Sequence, residues 1–234
     1  MIHHVICLKW GDKYGPEYVN RLYKAVKRHT RVNVRFWCFT DDPTGILPEV
    51  RTEPLRFSTQ LDSWWNKLSL FGDNLPIARG ERIFYIDLDT LIVANIDELI
   101  TCAYPHMIVL QDFYYGMART AGKVGSGLMS WRHGDHLNIW NDFIQNPHAA
   151  IASVMPHGDQ AWVERNIAEY KTWQELYPNS VVSFKMHCRR GLSPDAKIVC
   201  YHGKPSIPES AEIFTKDWKF RCPPQPWVYN HWKD

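Results

Sequence analysis

One stretch of this chain leaves the fewest folds open. Arg82-Ile83-Phe84-Tyr85-Ile86 runs directly into Asp87-Leu88-Asp89, and Leu91-Ile92-Val93 resumes the apolar run. The first five residues have the β-branched and aromatic content of a buried strand. Carboxylates planted between two such segments lose water and repel each other, and both effects disfavour their charged forms. Something positive must compensate. If the chain is still extended there, positions i and i+2 put both carboxylates on one face and turn Leu88 into the core. A hard divalent cation takes such oxygen ligands while holding substrate phosphate oxygens. The plainer account is that one aspartate caps the next turn and the other makes a salt bridge.

The segments around this strand alternate. Val5-Ile6-Cys7-Leu8 reads as a strand, and Gly15-Pro16 introduces a helix over about 17–29, with Val19, Leu22 and Val26 at helical spacing. Strands follow at 34–40, near Val50, at 107–110 and at 128–131. Helices are expected over about 60–73, with Trp64, Leu68 and Phe71 on one side, over 137–144, and over 160–170. That order predicts an α/β protein with a mostly parallel mixed central sheet flanked by helices. Ligands of such sheets gather beyond the carboxyl ends of the strands. The chain of 234 residues suits one large domain, taken as 1–204. The proline-rich remainder, 205–234, is expected to wrap it as irregular chain with one short helix.

Bulk composition adds exclusions. A net charge of +2 gives no general reason to hold nucleic acid. No segment approaches the roughly 20 apolar residues that cross a bilayer. The first apolar run is too short for a signal peptide, and the six cysteines are scattered without a CxxC pair. A cytoplasmic location is the expectation.

Tyr85-Ile86-Asp87-Leu88-Asp89-Thr90-Leu91-Ile92-Val93 resembles the DxD strand end of a GT-A glycosyltransferase. The likeness is greatest to the retaining family that includes glycogenin and lipopolysaccharide galactosyltransferases (family 8). The opening strand, the Gly125-Ser126-Gly127-Leu128-Met129 turn and Cys200-Tyr201-His202-Gly203-Lys204-Pro205 resemble three further pieces of that family in the same order. Two departures stand out: His202-Gly203-Lys204-Pro205 is shorter than the HxGxxKP pattern, and Gly125 stands where asparagine is common.

The resemblance implies a metal, Mn²⁺ or alternatively Mg²⁺, held by Asp87, Asp89 and His202, with Asp87 also on the ribose. It implies a UDP-sugar donor, a glycan or other hydroxyl acceptor, and transfer with retention of configuration. Carboxylate plus neutral imidazole suits Mn²⁺ on chemical grounds alone. Lys204 is the candidate for the departing diphosphate, with Gly203 letting the backbone approach, and Lys67 is a second basic candidate. Asp12 and Tyr14 are candidates for the base, Gly125, Ser126, Gly127 and Asp112 for the donor sugar. Asp159 is expected to position the sugar and Gln160 to stabilise positive character at its anomeric carbon; Asp159 is also a natural helix N-cap. Trp131, Trp162, Trp218, Trp227 and Trp232 are candidates for a sugar-stacking acceptor cleft, against the ordinary expectation that large aromatics fill a core.

Two other functions use the same residues. A haloacid-dehalogenase-like phosphatase would make Asp87 a nucleophile, but Thr90 comes one place too early for its DxDxT pattern. A carbohydrate-binding or interaction protein would keep a nucleotide-sugar-like fold without turnover.

Overall fold

The computed structural model describes residues 2–55, 61, 63–117, 122–217 and 219–233. Gln60, where a helix was expected to begin, and Trp218 lie outside the described residues.

In chain order the first half comprises β1 (His3–Lys9), α1 (Pro16–Arg28), β2 (Val34–Thr40), β3 (Arg51–Pro54), β4 (Arg82–Ile86), β5 (Thr90–Ile92), α2 (Asp97–Ile100) and β6 (Met107–Gln111). There follow β7 (Val124–Arg132), α3 (Leu137–Gln145), α4 (Pro147–Val154), α5 (Asp159–Asn166), β8 (Tyr170–Thr172) and α6 (Trp173–Leu176). Last come β9 (Val181–Ser183), β10 (Ile198–Cys200), α7 (Ile207–Glu212), β11 (Thr215–Asp217) and β12 (Phe220–Cys222).

The main sheet has seven strands in the order β3-β2-β1-β4-β7-β6-β8. All neighbours are parallel except at β7, which runs antiparallel to both β4 and β6. Both faces are covered, and strand alternation sorts the side chains between them. Ile6, Trp37, Phe39, Ile83 and Tyr85 point into one core with α3 and α5. Val5, Cys7, Phe36, Cys38, Phe84 and Ile86 point into the other, which buries Val19, Leu22 and Val26 of α1. Proline at the first position of α1 and Lys27-Arg28 in its last turn suit the two ends of that helix.

The expected helix over 60–73 is instead a 3₁₀ helix, Ser63–Phe71. Three residues per turn stack positions i and i+3. Trp65, Leu68 and Phe71 form one buried row, at 6%, 0% and 1% exposure, and Asn66, Lys67 and Leu70 are buried as well, whereas Trp64 is 50% exposed. The supposed glycine turn at 125–127 lies inside β7, and the helix expected to reach Tyr170 ends at Asn166.

The tail is more ordered than expected. It adds α7, the β11–β12 hairpin and a 3₁₀ turn at Pro226–Asn230. Ile207, Phe220, Cys222, Val228 and Trp232 share a third core with the small sheet β5-β10-β9. All six cysteines are free, and among the described residues no helix is long and apolar enough to cross a membrane.

Candidate active site

Strand order reverses between β1 and β4, which is where an open α/β sheet admits ligands outside its carboxyl ends. The chain leaving β1 brings Lys13 and Tyr14 to this point, and the chain leaving β4 brings Asp87 and Asp89. They border a cavity of about 140 Å³, which adjoins a larger one of about 450 Å³ through shared walls at Lys13, Trp64, Lys67, Asp87 and Asp89.

The sheet determines which residues meet. Asp87 continues the β4–β7 ladder, its N–H donating to the Gly127 carbonyl at 2.9 Å. A Cβ on Gly127 would come within 3.2 Å of Asp87 Oδ2, so a larger residue there would press on the carboxylate by a few tenths of an ångström. Gly125 has no such restriction; its nearest neighbour would be Leu110 at 3.4 Å. His202 arrives by a different ladder. β10 pairs antiparallel with β5, placing Cys200 against Thr90, and the Tyr201 N–H donates to the Asp89 carbonyl at 3.0 Å. Residues 113 positions apart in sequence are thereby brought to one wall.

At the floor lies Lys67, on the 3₁₀ helix and 6% exposed. Its ammonium is 3.2 Å from Asp87 and 3.4 Å from Asp159, and it donates to Ser126 Oγ at 3.2 Å. Burial pulls this ammonium down, but Asp159 and Asp87 more than reverse the effect and hold it well above the usual lysine range. Ser126 Oγ in turn donates to Asp159 Oδ2 at 2.7 Å, and the Tyr85 hydroxyl donates to Asp87. Asp159 is the first residue of α5 and does not cap it: Gly158 holds the N-cap position, and the carboxylate faces Ser126 and Lys67 instead. Asp112, just past β6, accepts from Gln160 Nε2 at 2.9 Å, which joins two of the expected donor-sugar residues.

The Asp89 carboxylate accepts from the Tyr14 hydroxyl at 2.9 Å. Burial and the neighbouring Asp87 charge push the Asp89 carboxyl up to about 6, against the pull of Tyr14, Lys13 and Lys67. Tyr14 is raised well above the usual phenol range by burial and by Asp89, and its ring packs on Tyr18 at 4.8 Å. That phenol is therefore committed to Asp89 through its hydroxyl. Burial, with Lys185 nearby, pulls His202 down to about 3, leaving a neutral imidazole. It is stacked on Phe113, and its Nε2 contacts Ser183 Oγ at 2.7 Å.

The donor set fits a divalent cation. The larger cavity is lined by Asp87, Asp89, Asp112 and Asp159 against Lys13 and Lys67, a deficit of two positive charges, with neutral imidazole alongside. The ligands are not drawn together, however. Among the described residues no three histidine, cysteine or acidic groups form a metal cluster. Tyr14 and Lys67 occupy the carboxylates and Ser183 occupies His202 Nε2, so loading a metal requires these contacts to be exchanged or His202 to use Nδ1.

Three expected residues are not brought to the cavity. Asp12 is exposed after β1. Gly203 makes a turn with φ 71°, which glycine tolerates, and Lys204 pairs with Glu209 at 2.6 Å with its side chain 66% exposed. Of the tryptophans expected in an acceptor cleft, four are described and all four pack cores: Trp131 and Trp162 fill the main core, and Trp232 fills the tail core with Trp227 packed against it. Trp64, Phe113, Tyr114 and His157 line the cavity although none of them was expected in the site, Trp64 having been placed among the packing residues of a helix.

No protein-family model matches the chain, and no curated protein matches its sequence. Solved structures do match. The galactosyltransferase LgtC in complex with donor and acceptor sugar analogs superposes with TM-score 0.63 at 12% identity, over 87% of this chain and 88% of LgtC. An active-site mutant of LgtC gives TM-score 0.61 at 11% identity, over 87% of this chain and 89% of that one. The glycosyltransferase GlyE of Streptococcus pneumoniae gives TM-score 0.63 at 10% identity, over 88% of this chain but 55% of GlyE. With the β7 inversion, the β1–β4 crevice and the DxD strand end already in place, the fold of this chain is the GT-A fold of these glycosyltransferases.

Proposed function

We propose that this protein is a metal-dependent glycosyltransferase that moves a hexose or related sugar from a UDP-sugar to a hydroxyl acceptor with retention of configuration. The observation that carries the reading is the convergence of Asp87, Asp89 and a neutral His202 on one cavity with a deficit of two positive charges. Asp87, Asp89 and His202 would hold Mn²⁺, with Mg²⁺ as substitute. When bound, the ion supplies charge neutralisation at the diphosphate.

The chain's own residues do the rest. Lys67 holds Asp87 and Asp159 in place from beneath, and Lys13 meets phosphate oxygens at the mouth. Asp112 and Gln160, already joined, bind donor-sugar hydroxyls, and the Gln160 amide oxygen and Asp159 face the positive charge that develops at the anomeric carbon. In the reaction the bond from anomeric carbon to diphosphate oxygen breaks, the acceptor oxygen bonds to that carbon on the same face, and its proton passes to the departing diphosphate. No separate strong base is required.

The test is a screen of nucleotide sugars with Mn²⁺ or chelator, following glycan mass gain and free phosphate together. Mn²⁺-dependent mass gain, with the donor's anomeric configuration preserved in the first product by proton NMR, is expected. Full turnover without metal, or an inverted anomeric coupling, overturns the corresponding part. Phosphate release through a phosphoaspartate at Asp87 would identify a phosphatase, and nucleotide binding without turnover would identify a binding protein.

A further inference from the structure

The hairpin β11–β12 has two unlike faces. Its register sets Lys216 directly opposite Arg221, between the pairs Thr215–Cys222 and Asp217–Phe220. Strand alternation turns Phe220 and Cys222 into the tail core and leaves Lys216 and Arg221 exposed on the outer face. Like charges directly across a ribbon repel. The hairpin's acid, Asp217, does not relieve them, because it faces inward and pairs with Lys185. Lys219 is exposed at the turn and adds a third cation. Apolar surface meets these charges. α7 ends at Glu212 and the chain continues extended through Ile213, so Phe214, two residues before Lys216, falls on the same outer face. At 59% exposure Phe214 is the most open large apolar side chain among the described residues, and Ile213 beside it is exposed as well. The Tyr229 hydroxyl donates to Glu212, which brings a third exposed apolar side chain to this junction. Apolar residues scattered singly on a surface are ordinary, whereas a group of three bordered by cations marks a contact surface.

The chemistry of both halves decides what covers this face. A folded protein partner needs about 800 Å² of matched surface, and a ribbon of three residues per strand spans only about 10 Å. A phosphate polymer would satisfy Lys216 and Arg221 but gains nothing from Ile213 and Phe214. An anionic bilayer takes both: lipid phosphates meet the cations while the apolar side chains enter the acyl boundary, two weak signals that together hold a protein at a membrane. The inner face of the same hairpin packs on the wall of the active-site cavity. Phe220 and Tyr114 lie 6.2 Å apart, ring to ring, and Lys185 donates to the Tyr114 hydroxyl at 3.4 Å. Tyr114 and His202 line the cavity. A docked bilayer therefore lies behind that wall, one ribbon away.

We propose that the outer face of the β11–β12 hairpin, together with Ile213, Phe214 and Tyr229, docks the protein on an anionic lipid bilayer. Such binding needs no nucleotide sugar and no turnover, so it stands apart from the proposed transfer chemistry. The probes, each titrated against the full chain, are vesicles of equimolar phosphatidylglycerol and phosphatidylcholine, vesicles of phosphatidylcholine alone, and heparin as a soluble polyanion. Co-sedimentation should show binding to the mixed vesicles and not to phosphatidylcholine alone. It should be lost as salt rises from about 0.1 M to about 1 M, where the Debye length falls from about 10 Å to about 3 Å. The double variant Lys216→Gln, Arg221→Gln should weaken partition about thirtyfold, at about fivefold per cation. Phe214→Ala should weaken it about tenfold, as a phenyl ring partly withdrawn from water is lost. Met155→Ala, which removes an exposed apolar side chain outside the hairpin, should bind as the wild type does. Thermal midpoints check that these exposed substitutions leave the fold intact. No binding to the mixed vesicles, equal binding to phosphatidylcholine alone, or an equal loss in Met155→Ala overturns the proposal. Heparin bound as tightly as the mixed vesicles, with Phe214→Ala changing neither, would make the ribbon a site for a soluble polyanion and overturn it too.

Discussion

Replacing Lys67 by methionine isolates the charge network beneath the site. The ammonium sits 3.2 Å from Asp87 and 3.4 Å from Asp159. At such separations each attraction is about 5 kcal/mol with an effective dielectric of about 20. Burying the lysine costs several kcal/mol in lost hydration, so the intact network contributes little net stability. Breaking it is another matter. Methionine fills the same volume but leaves two carboxylates facing each other without a cation, a loss of about 3–5 kcal/mol for a buried pair. Against a total stability of about 5–15 kcal/mol, that is a large shift of the urea midpoint followed by circular dichroism.

Adding Asp159→Asn removes one stranded charge, keeps an acceptor for Ser126 Oγ, and should recover at least about 1 kcal/mol of the loss, since coupled neighbours are non-additive. The single variant also leaves the cavity more negative, so Mn²⁺ should raise its midpoint more than it raises the wild type's. A loss below about 1 kcal/mol in Lys67→Met, or a further loss on adding Asp159→Asn, would show that Lys67 is not the counter-charge of this pair.

Other perturbations test separate parts of the site. Asp89→Asn should abolish Mn²⁺-stimulated transfer yet stabilise the metal-free protein at pH 7 by on the order of 2 kcal/mol, allowing for residual exposure of a carboxyl raised to about 6. Because the folded value lies above the unfolded one, wild-type stability should fall as pH rises from about 4 to about 6, while Asp89→Asn lacks that slope; equal slopes in urea titrations refute it. Gly127→Ala should weaken Mn²⁺ binding by calorimetry, since the new Cβ crowds Asp87 Oδ2 at 3.2 Å, whereas Gly125→Ala should bind normally. Asp97 works in the opposite sense. Hydrogen bonds from Thr30, Asn95 and the Arg31 and Val32 amides outweigh burial and hold it down to about 2, so its contribution is present above the unfolded value and lost as pH falls from about 4 to about 2. An Asp97→Asn variant with unchanged acid stability would remove that account.

How far the site could be read from sequence depends on the length of the pattern that carries each residue. Arg82–Ile86 was legible to the residue because four consecutive apolar positions, Ile83 to Ile86, and an abrupt acidic stop leave one assignment open. The route that carries His202 to Asp89 was not, because β5 and β10 are three residues each, too short for any periodicity to register. Lys185 sits in a π-helical turn, Phe184–Cys188, and pairs with Asp217 of the tail hairpin, a contact that depends wholly on tertiary packing.

The most instructive miss lies between these cases. A helical period through 60–73 groups Trp64 with Leu68 and Phe71 and hides it in the core. A period of three puts Trp65 with Leu68 and Phe71 in the core and sets Trp64 over Lys67 instead. The period alone does not set its exposure, because Lys67 and Leu70 of the same row are 6% and 1% exposed; Trp64 stands open in the first turn of that helix, beside the cavity. The same row that buries an ammonium beneath Asp87 and Asp159 then leaves an aromatic face at the entrance above them, so the charge of the site and the shape of its mouth have one structural origin.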